Sequence, residues 1–245
     1  RAQLEVSLIS VGGHDQDYYF LKRETEPYVN MQHVTQHNGN ATGTYNAVLD
    51  RHGEMQLAIA DMDIYDGMDI QWISQYHTIL SDAQLIILDL NLPYDTVEYI
   101  LSLARQFKIE VFVIPVSGPK MNHLPRNLDC VTWMIVNQDE SEKFFDVSVE
   151  TEEDFKELVD RWLEVGVENV VITRGLDESI YGNKNGDREF FTPFKTEHIV
   201  DVTGAGDAYA AGIIYGHLNR LFPKESIQLG MTNAYYTIQS LYSKS

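Results

Sequence analysis

Four short apolar runs, at residues 85–88, 111–114, 133–136 and 170–173, constrain this chain more than any other feature. Each is long enough for a strand and too short for a helix, and each is apolar at nearly every position. Strands of that kind are covered on both faces. The segments between them supply the covers. Residues 94–107 read as a helix, and residues 151–165 as another, with Thr151 as N-cap and Asp154 closing a capping box of the acidic kind. Strands alternating with helices predict an α/β fold: a doubly wound, mostly parallel sheet flanked by helices.

The opening is different in character. A strand is expected within residues 4–11, then a hairpin of 45–49 and 55–60 joined by Asp50-Arg51-His52-Gly53, a turn with glycine at its last position. This predicts a small β lid within about residues 1–65. Met68, Ile70, Trp72, Ile73, Tyr76 and Leu80 have helical spacing and predict one helix over 68–80. A last helix is expected over about 224–240, and Trp72, Trp133 and Trp162 fall at core positions. No repeat, low-complexity tract or Pro/Gly-rich linker interrupts the chain, so a single domain is expected over 1–245. The chain opens on Arg1 and enters a strand almost at once, as if entered mid-domain.

Charge narrows the partners. The 37 acidic and 18 basic residues give a formal charge of −19, which argues against nucleic acid and anionic membrane, since both need clustered Lys and Arg. A small anionic substrate is still open, because local groups hold it. Cys130 is the single cysteine and reads as a small apolar residue, so a reducing compartment, the cytoplasm, is expected. No apolar stretch approaches the roughly 18 residues of a membrane span. The eight histidines lack metal-ligand spacing, with His33 and His37 read as polar lid residues rather than zinc ligands. The acid-rich stretch 139–157 reads as a solvated face.

In such sheets, ligands bind beyond the carboxyl ends of the strands. Asp201-Val202-Thr203-Gly204-Ala205-Gly206-Asp207-Ala208 leads there into a helical segment, 209–218. Small residues at Gly204, Ala205 and Gly206 let the backbone crowd a ligand, and a helix start aims free N–H groups at an anion. A carboxylate beside an anion hole suits a base that takes a proton from an attacking hydroxyl. On spacing alone, a glycine-rich turn with Asp207 as a cap is an equal reading.

The pattern Asp-x-Thr-Gly-Ala-Gly-Asp-Ala resembles the C-terminal signature of the ribokinase-like (PfkB) carbohydrate kinases. The resemblance implies that Asp207 activates an acceptor hydroxyl and that Gly204, Ala205 and Gly206 hold the charge of a transferring phosphoryl group. It implies ATP and Mg2+ as cofactors, with a monovalent cation such as K+ held near Asp201 and Thr203. Asn137-Gln138-Asp139-Glu140 fits the family's Asn-x-x-Glu element, with Asn137 on the nucleotide side and Glu140 meeting magnesium through water. Thr173-Arg174-Gly175 stands where the family has Thr-x-Gly against the nucleotide, and Ser117-Gly118-Pro119-Lys120 resembles a Ser-x-Pro-Lys element on the substrate side.

Residues 42–50, Gly53-Glu54, 58–64 and Leu88-Asp89-Leu90-Asn91-Leu92 resemble the pseudouridine kinase branch of that family. That likeness implies transfer of the γ-phosphoryl group to the 5′-hydroxyl of pseudouridine, with Thr44, Tyr45, Asp61 and Asp63 on the substrate side. A kinase of another nucleoside or sugar, or a non-catalytic ligand-binding remnant, are the alternatives. The family domain begins with a strand carrying a substrate-binding Asp and a Gly-Gly segment, and this chain starts downstream of both. Ile114, Val136 and Arg174 depart from residues common in the family. The resemblance further allows a homodimer through the lid and, in a longer parent protein, fusion to a pseudouridine-phosphate glycosidase.

Overall fold

The computed structural model of the chain describes residues 4–49, 55–196 and 199–239. It opens with strand β1 (Ser7–Gly13), helix α1 (Gln16–Thr25) and strand β2 (Asn30–His37), the two strands pairing in parallel. Helix α1 departs from the β lid expected within about residues 1–65. Its start is set by Asp15, whose side chain accepts the Tyr18 N–H, but Tyr18 is its single buried residue, so its apolar pattern is faint. The expected lid hairpin forms from β3 (Thr44–Leu49) and β4 (Met55–Asp61), antiparallel, with Thr44 opposite Asp61. Its turn, including Asp50-Arg51-His52-Gly53, lies outside the described residues.

The single helix expected over 68–80 is instead two short ones. A 3-10 turn, Asp63–Gly67, is followed by α2 (Ile70–Ser74) and α3 (His77–Ser81). The break falls at Gln75 and Tyr76, whose N–H groups bond the carbonyls three residues back, Trp72 and Ile73, instead of continuing the four-residue helical pattern. Tyr76 Oη lies 2.7 Å from Thr35 Oγ1, and Trp72 Nε1 donates to the same oxygen at 3.1 Å. Both aromatic residues therefore reach one hydroxyl on β2.

The alternating region follows expectation closely: β5 (Leu85–Leu88), α4 (Tyr94–Phe107), β6 (Glu110–Val113), a 3-10 turn (Gly118–His123), β7 (Val131–Asn137), α5 (Gln138–Phe145), α6 (Glu152–Glu164) and β8 (Asn169–Arg174). The Thr151–Asp154 capping box is present at the start of α6. Strands β9 (Asp177–Asn183) and β10 (Arg188–Phe191) extend the sheet antiparallel, in the order β10-β9-β8-β7-β6-β5. Helices α7 (Ala205–Leu218) and α8 (Pro223–Thr237) close the described fold.

Side-chain alternation along the strands sorts two cores. Val111, Val113, Met134, Val136, Val170 and Ile172 pack with α4 and α6 residues such as Leu101, Leu158 and Trp162. Phe112, Trp133, Ile135, Val171 and Tyr181 pack on the other face with Tyr209, Ile213 and Ile227 of α7 and α8. Helices therefore cover both faces, as expected. One residue departs: Ile87 is 50% exposed, because β5 forms the edge of the six-stranded sheet. Within the stretch read as a solvated face, Glu140, Ser141 and Phe144 are buried, since α5 presents that side to the core.

Helices α7 and α8 lie backbone against backbone. A Cβ on Gly212 would stand 2.5 Å from Gly230 N, and one on Gly216 would stand 2.7 Å from Ser226 Cα. Neither helix can yield there without losing its packing on the sheet. Gly212→Ala is therefore expected to lower stability by about 1–3 kcal/mol, which for a chain of this size is a fall of roughly 2–10 °C in the thermal midpoint. An unchanged midpoint in calorimetry would show that the two helices separate freely.

Candidate active site

Contacts at the far end of α7 set the location of its start. His217 Nδ1 accepts the Trp133 indole N–H at 3.3 Å, its Nε2 lies 3.1 Å from Glu110 Oε2, and its ring meets the Phe112 ring edge to face. Glu110 opens β6, so the end of α7 lies at the amino edge of the sheet. Asp207 precedes His217 by 217 − 207 = 10 residues, about 15 Å of helix. That length carries it to the carboxyl edge, where β6, β7 and β8 end.

The segment entering α7 is tied down by α8. The Ile238 carbonyl accepts the N–H groups of Val200 at 2.8 Å and Asp201 at 3.4 Å. Asp201 Oδ1 then accepts the Thr203 N–H at 2.8 Å, a bond that holds the Asp201 carboxyl below its usual range. Gly204 turns the chain into the helix with φ +77°, a conformation that side chains resist. The Ala205 N–H bends back to the Val202 carbonyl at 3.2 Å. The N–H groups of Gly206 and Asp207 make no backbone hydrogen bond among the described residues, and a Cβ on Gly206 would meet nothing within 4 Å. These two amides, rather than all three of the Gly-Ala-Gly run, look onto open space. Asp207 is exposed, and no N–H bonds its carboxylate among the described residues. Gly204 occupies the N-cap position. Of the two readings left open by the spacing, the cap is therefore not the one formed.

The nucleotide-side candidates gather on the adjoining strand ends. Asn137 stands directly opposite Thr173 in the β7–β8 ladder, and Thr173 Oγ1 donates to the Val136 carbonyl at 3.3 Å. Asn137 Oδ1 accepts the Glu140 N–H at 2.8 Å while Glu140 Oε2 accepts the Asn137 N–H at 2.9 Å, a complete capping box at the start of α5. Glu140 is only 4% exposed, and burial pushes its carboxyl up to about 7, with the Asn137 N–H opposing and Asp139 adding to the rise. Gly175 has φ +61° and open space where a Cβ would be. Arg174 turns elsewhere: its Nε donates to the Glu178 carbonyl at 3.0 Å and its guanidinium lies 4.5 Å over the Phe155 ring.

The substrate-side candidates gather at the hairpin foot, with Thr44 and Asp61 paired across the strands, Tyr45 beside them and Asp63 opening the 3-10 turn. Lys120 lies in the other 3-10 turn, which packs against α5. What fastens the hairpin to the body was missed in the sequence. Asp15 accepts the Thr42 N–H at 2.6 Å and the Thr42 hydroxyl at 2.7 Å, while Thr42 Oγ1 accepts the Gly13 N–H at 3.0 Å. These bonds hold the Asp15 carboxyl below its usual range. The visible signal was Asp15 before an amphipathic-poor stretch, which says cap but cannot name a partner 27 residues away. Among the described residues no group of three or more His, Cys, Asp or Glu is arranged to hold a metal ion, and no helix is long and apolar enough to cross a membrane.

A doubly wound α/β sheet with an amide-lined helix start at its carboxyl edge and a small β hairpin beside it is the ribokinase-like architecture. The chain belongs to the pfkB family of carbohydrate kinases, whose sequence profile matches residues 1–245. It is 30% identical over 175 residues to the pseudouridine kinase of Escherichia coli, covering 71% of this chain and 55% of that protein. It is 25% identical over 240 residues to the guanosine-inosine kinase of Exiguobacterium acetylicum, covering 96% of this chain and 78% of that one. Among solved structures, the ribokinase of Arabidopsis thaliana complexed with ribose and ATP superposes with a TM-score of 0.83 at 16% identity, over 97% of this chain and 77% of its own. That likeness is one of fold.

The Glu140 carboxyl yields a pH test. Its folded value, about 7, lies above the ordinary 4.5, so the stability carried by its neutral form is full below 4.5 and is lost as pH rises to about 7. Glu140→Gln keeps an acceptor for the Asn137 N–H and carries no charge. Its urea midpoint is expected to gain on wild type between pH 4.5 and about 7 and to hold that lead above. A difference independent of pH would show that folding leaves the Glu140 carboxyl unshifted.

Proposed function

We propose that this chain transfers the γ-phosphoryl group of ATP to the 5′-hydroxyl of a ribosyl nucleoside, pseudouridine being the acceptor its likeness to the Escherichia coli enzyme favours. One observation carries the reading: the unengaged Asp207 carboxylate stands beside the open N–H groups of Gly206 and Asp207 at the start of α7. Asp207 takes the proton as the acceptor oxygen bonds to the γ-phosphorus and the bond from that phosphorus to the β-phosphate oxygen breaks. The two amides hold an equatorial oxygen of the phosphoryl group in flight, where fixed dipoles act without reorganising. Asn137, Thr173 and Gly175 flank the nucleotide on the β7 and β8 ends.

The oxygen donors suit hard cations. Glu140 has one carboxyl oxygen outside its capping bond, and a buried carboxyl pushed up to about 7 is one that a nearby positive charge would ionise. It would meet Mg2+ through water, and Asp201 with Thr203 would hold K+. Bound there, the cations neutralise phosphate charge. A dimer through the exposed Val48, Leu57 and Ile59 of the hairpin belongs to the same reading.

Asp207→Asn is expected to fold normally, to bind ATP, and to lose turnover by about 10²–10⁴-fold. Coupled ADP release with pseudouridine, uridine, ribose and no acceptor measures this. Near-normal turnover in the variant removes Asp207 as the base, and equal turnover with ribose removes the nucleoside preference.

A further inference from the structure

The residues that α7 buries, Ala210, Gly212, Ile213, Ile214 and Gly216 among them, are mostly small or aliphatic. Contact of that kind is non-directional. It holds the helix on the sheet without fixing where along its axis the helix stops. A directed bond can fix that. Two polar side chains of α7 turn toward the sheet, Tyr209 and His217. Tyr209 supplies no such bond: its hydroxyl is buried and unpaired among the described residues, the nearby Ser179 hydroxyl lying outside bonding geometry. His217 supplies two, one to Trp133 at 3.3 Å and one to Glu110 at 3.1 Å.

The Trp133 bond is the stiffer of the two. Trp133 is 2% exposed, and its ring stacks with Phe112 of β6 at 6.1 Å and with Tyr181 of β9 at 5.7 Å. Those strands lie on opposite sides of β7, so the indole cannot turn and its N–H has one direction. An indole only donates. His217 Nδ1 is therefore unprotonated, and Nε2, which faces the Glu110 carboxylate, carries the ring hydrogen. The imidazole is keyed in a single tautomer between a buried donor and a half-exposed acceptor.

We propose that His217 is a positioning residue for phosphotransfer: its bond to Trp133 sets the axial position of α7, and with it the Asp207 carboxylate and the open Gly206 and Asp207 amides about 15 Å away. This rests on the phosphotransfer reading above. The Glu110 contact, half-exposed to solvent, adds little to the hold. An α-helix is stiff over that length, so a slide at His217 reaches Asp207 undiminished. Where reacting groups must align, a misplacement of about 1 Å costs roughly 100-fold in rate.

Three substitutions separate the two bonds. His217→Asn puts an amide oxygen where Nδ1 lies and keeps the Trp133 bond. His217→Gln reaches the position of Nε2 and keeps only the Glu110 contact. His217→Leu keeps neither. ADP release with pseudouridine, run well below each thermal midpoint, is expected to show kcat about 10–100-fold lower for the Leu and Gln variants. The Asn variant is expected to stay near wild type, and KM for ATP to change little in all three. A residue that only stabilised the fold would lower the midpoint and leave kcat intact, and that result overturns the proposal, as does a Gln variant faster than the Asn variant. Should the Leu variant fail to fold, the comparison of Asn with Gln decides. Nitrogen NMR reads the same assignment without turnover: His217 Nδ1 is expected to be unprotonated in wild type, and the Gly206 and Asp207 amide resonances to be displaced in the Leu and Gln variants but not in the Asn variant. A protonated Nδ1, or amides that do not move, overturns the positioning role and leaves phosphotransfer standing. Both NMR signatures with no turnover by wild type support the positioning role and overturn phosphotransfer.

Discussion

Backbone contact between α7 and α8 sets where the amino end of α7 lies, and the rest of the site depends on it. Gly212 and Gly216 let α8 approach until Gly230 and Ser226 touch the α7 main chain. The same α8 ends in the Ile238 carbonyl that holds Val200 and Asp201, the residues leading into the turn before α7. At its other end α7 is moored to β6 and β7 through His217. A helix held at both ends and along one side cannot slide, so the open amides of Gly206 and Asp207 stay at the carboxyl edge of the sheet. Pre-set dipoles of this kind are useful because they need no rearrangement when charge develops.

A charge of −19 and the proposed binding of phosphate look contradictory until distances are compared. Charges more than about 8 Å away across solvent are largely screened at physiological salt, whereas an N–H group in contact is not. Local donors therefore outweigh the global field. The buried Glu140 works the other way. It costs stability when ionised, while its carboxyl also caps α5 through the Asn137 N–H. Its role in the fold is that of a cap, and the role proposed for it in the site draws on the carboxyl oxygen outside that bond.

Legibility in the sequence followed the range of the interactions. Helix α4 and the capping box of α6 were readable because the residues that decide them lie within a few positions of one another. The β3–β4 hairpin was readable for the same reason. Helix α1 was not, since a helix burying only Tyr18 leaves little periodic trace. The shared contact of Trp72 and Tyr76 with Thr35 was not, because that partner lies 37 and 41 residues upstream of them. Within the signature, the residue types at 204–207 were legible, but which amides stay open was decided by the Val202 carbonyl turning back on Ala205.

By itself the sequence determined the class of fold, the position of a helix start rich in small residues, and the presence of Asp207 there, because patterning, glycine placement and local caps are short-range properties. Only the tertiary structure decided that Gly204 rather than Asp207 takes the N-cap of α7, that Arg174 lies over Phe155, and that Asp15 fastens the hairpin through Thr42. Each of those depends on which distant backbones come within hydrogen-bond or packing distance. Chain closure over tens of residues sets that, and no local pattern encodes it.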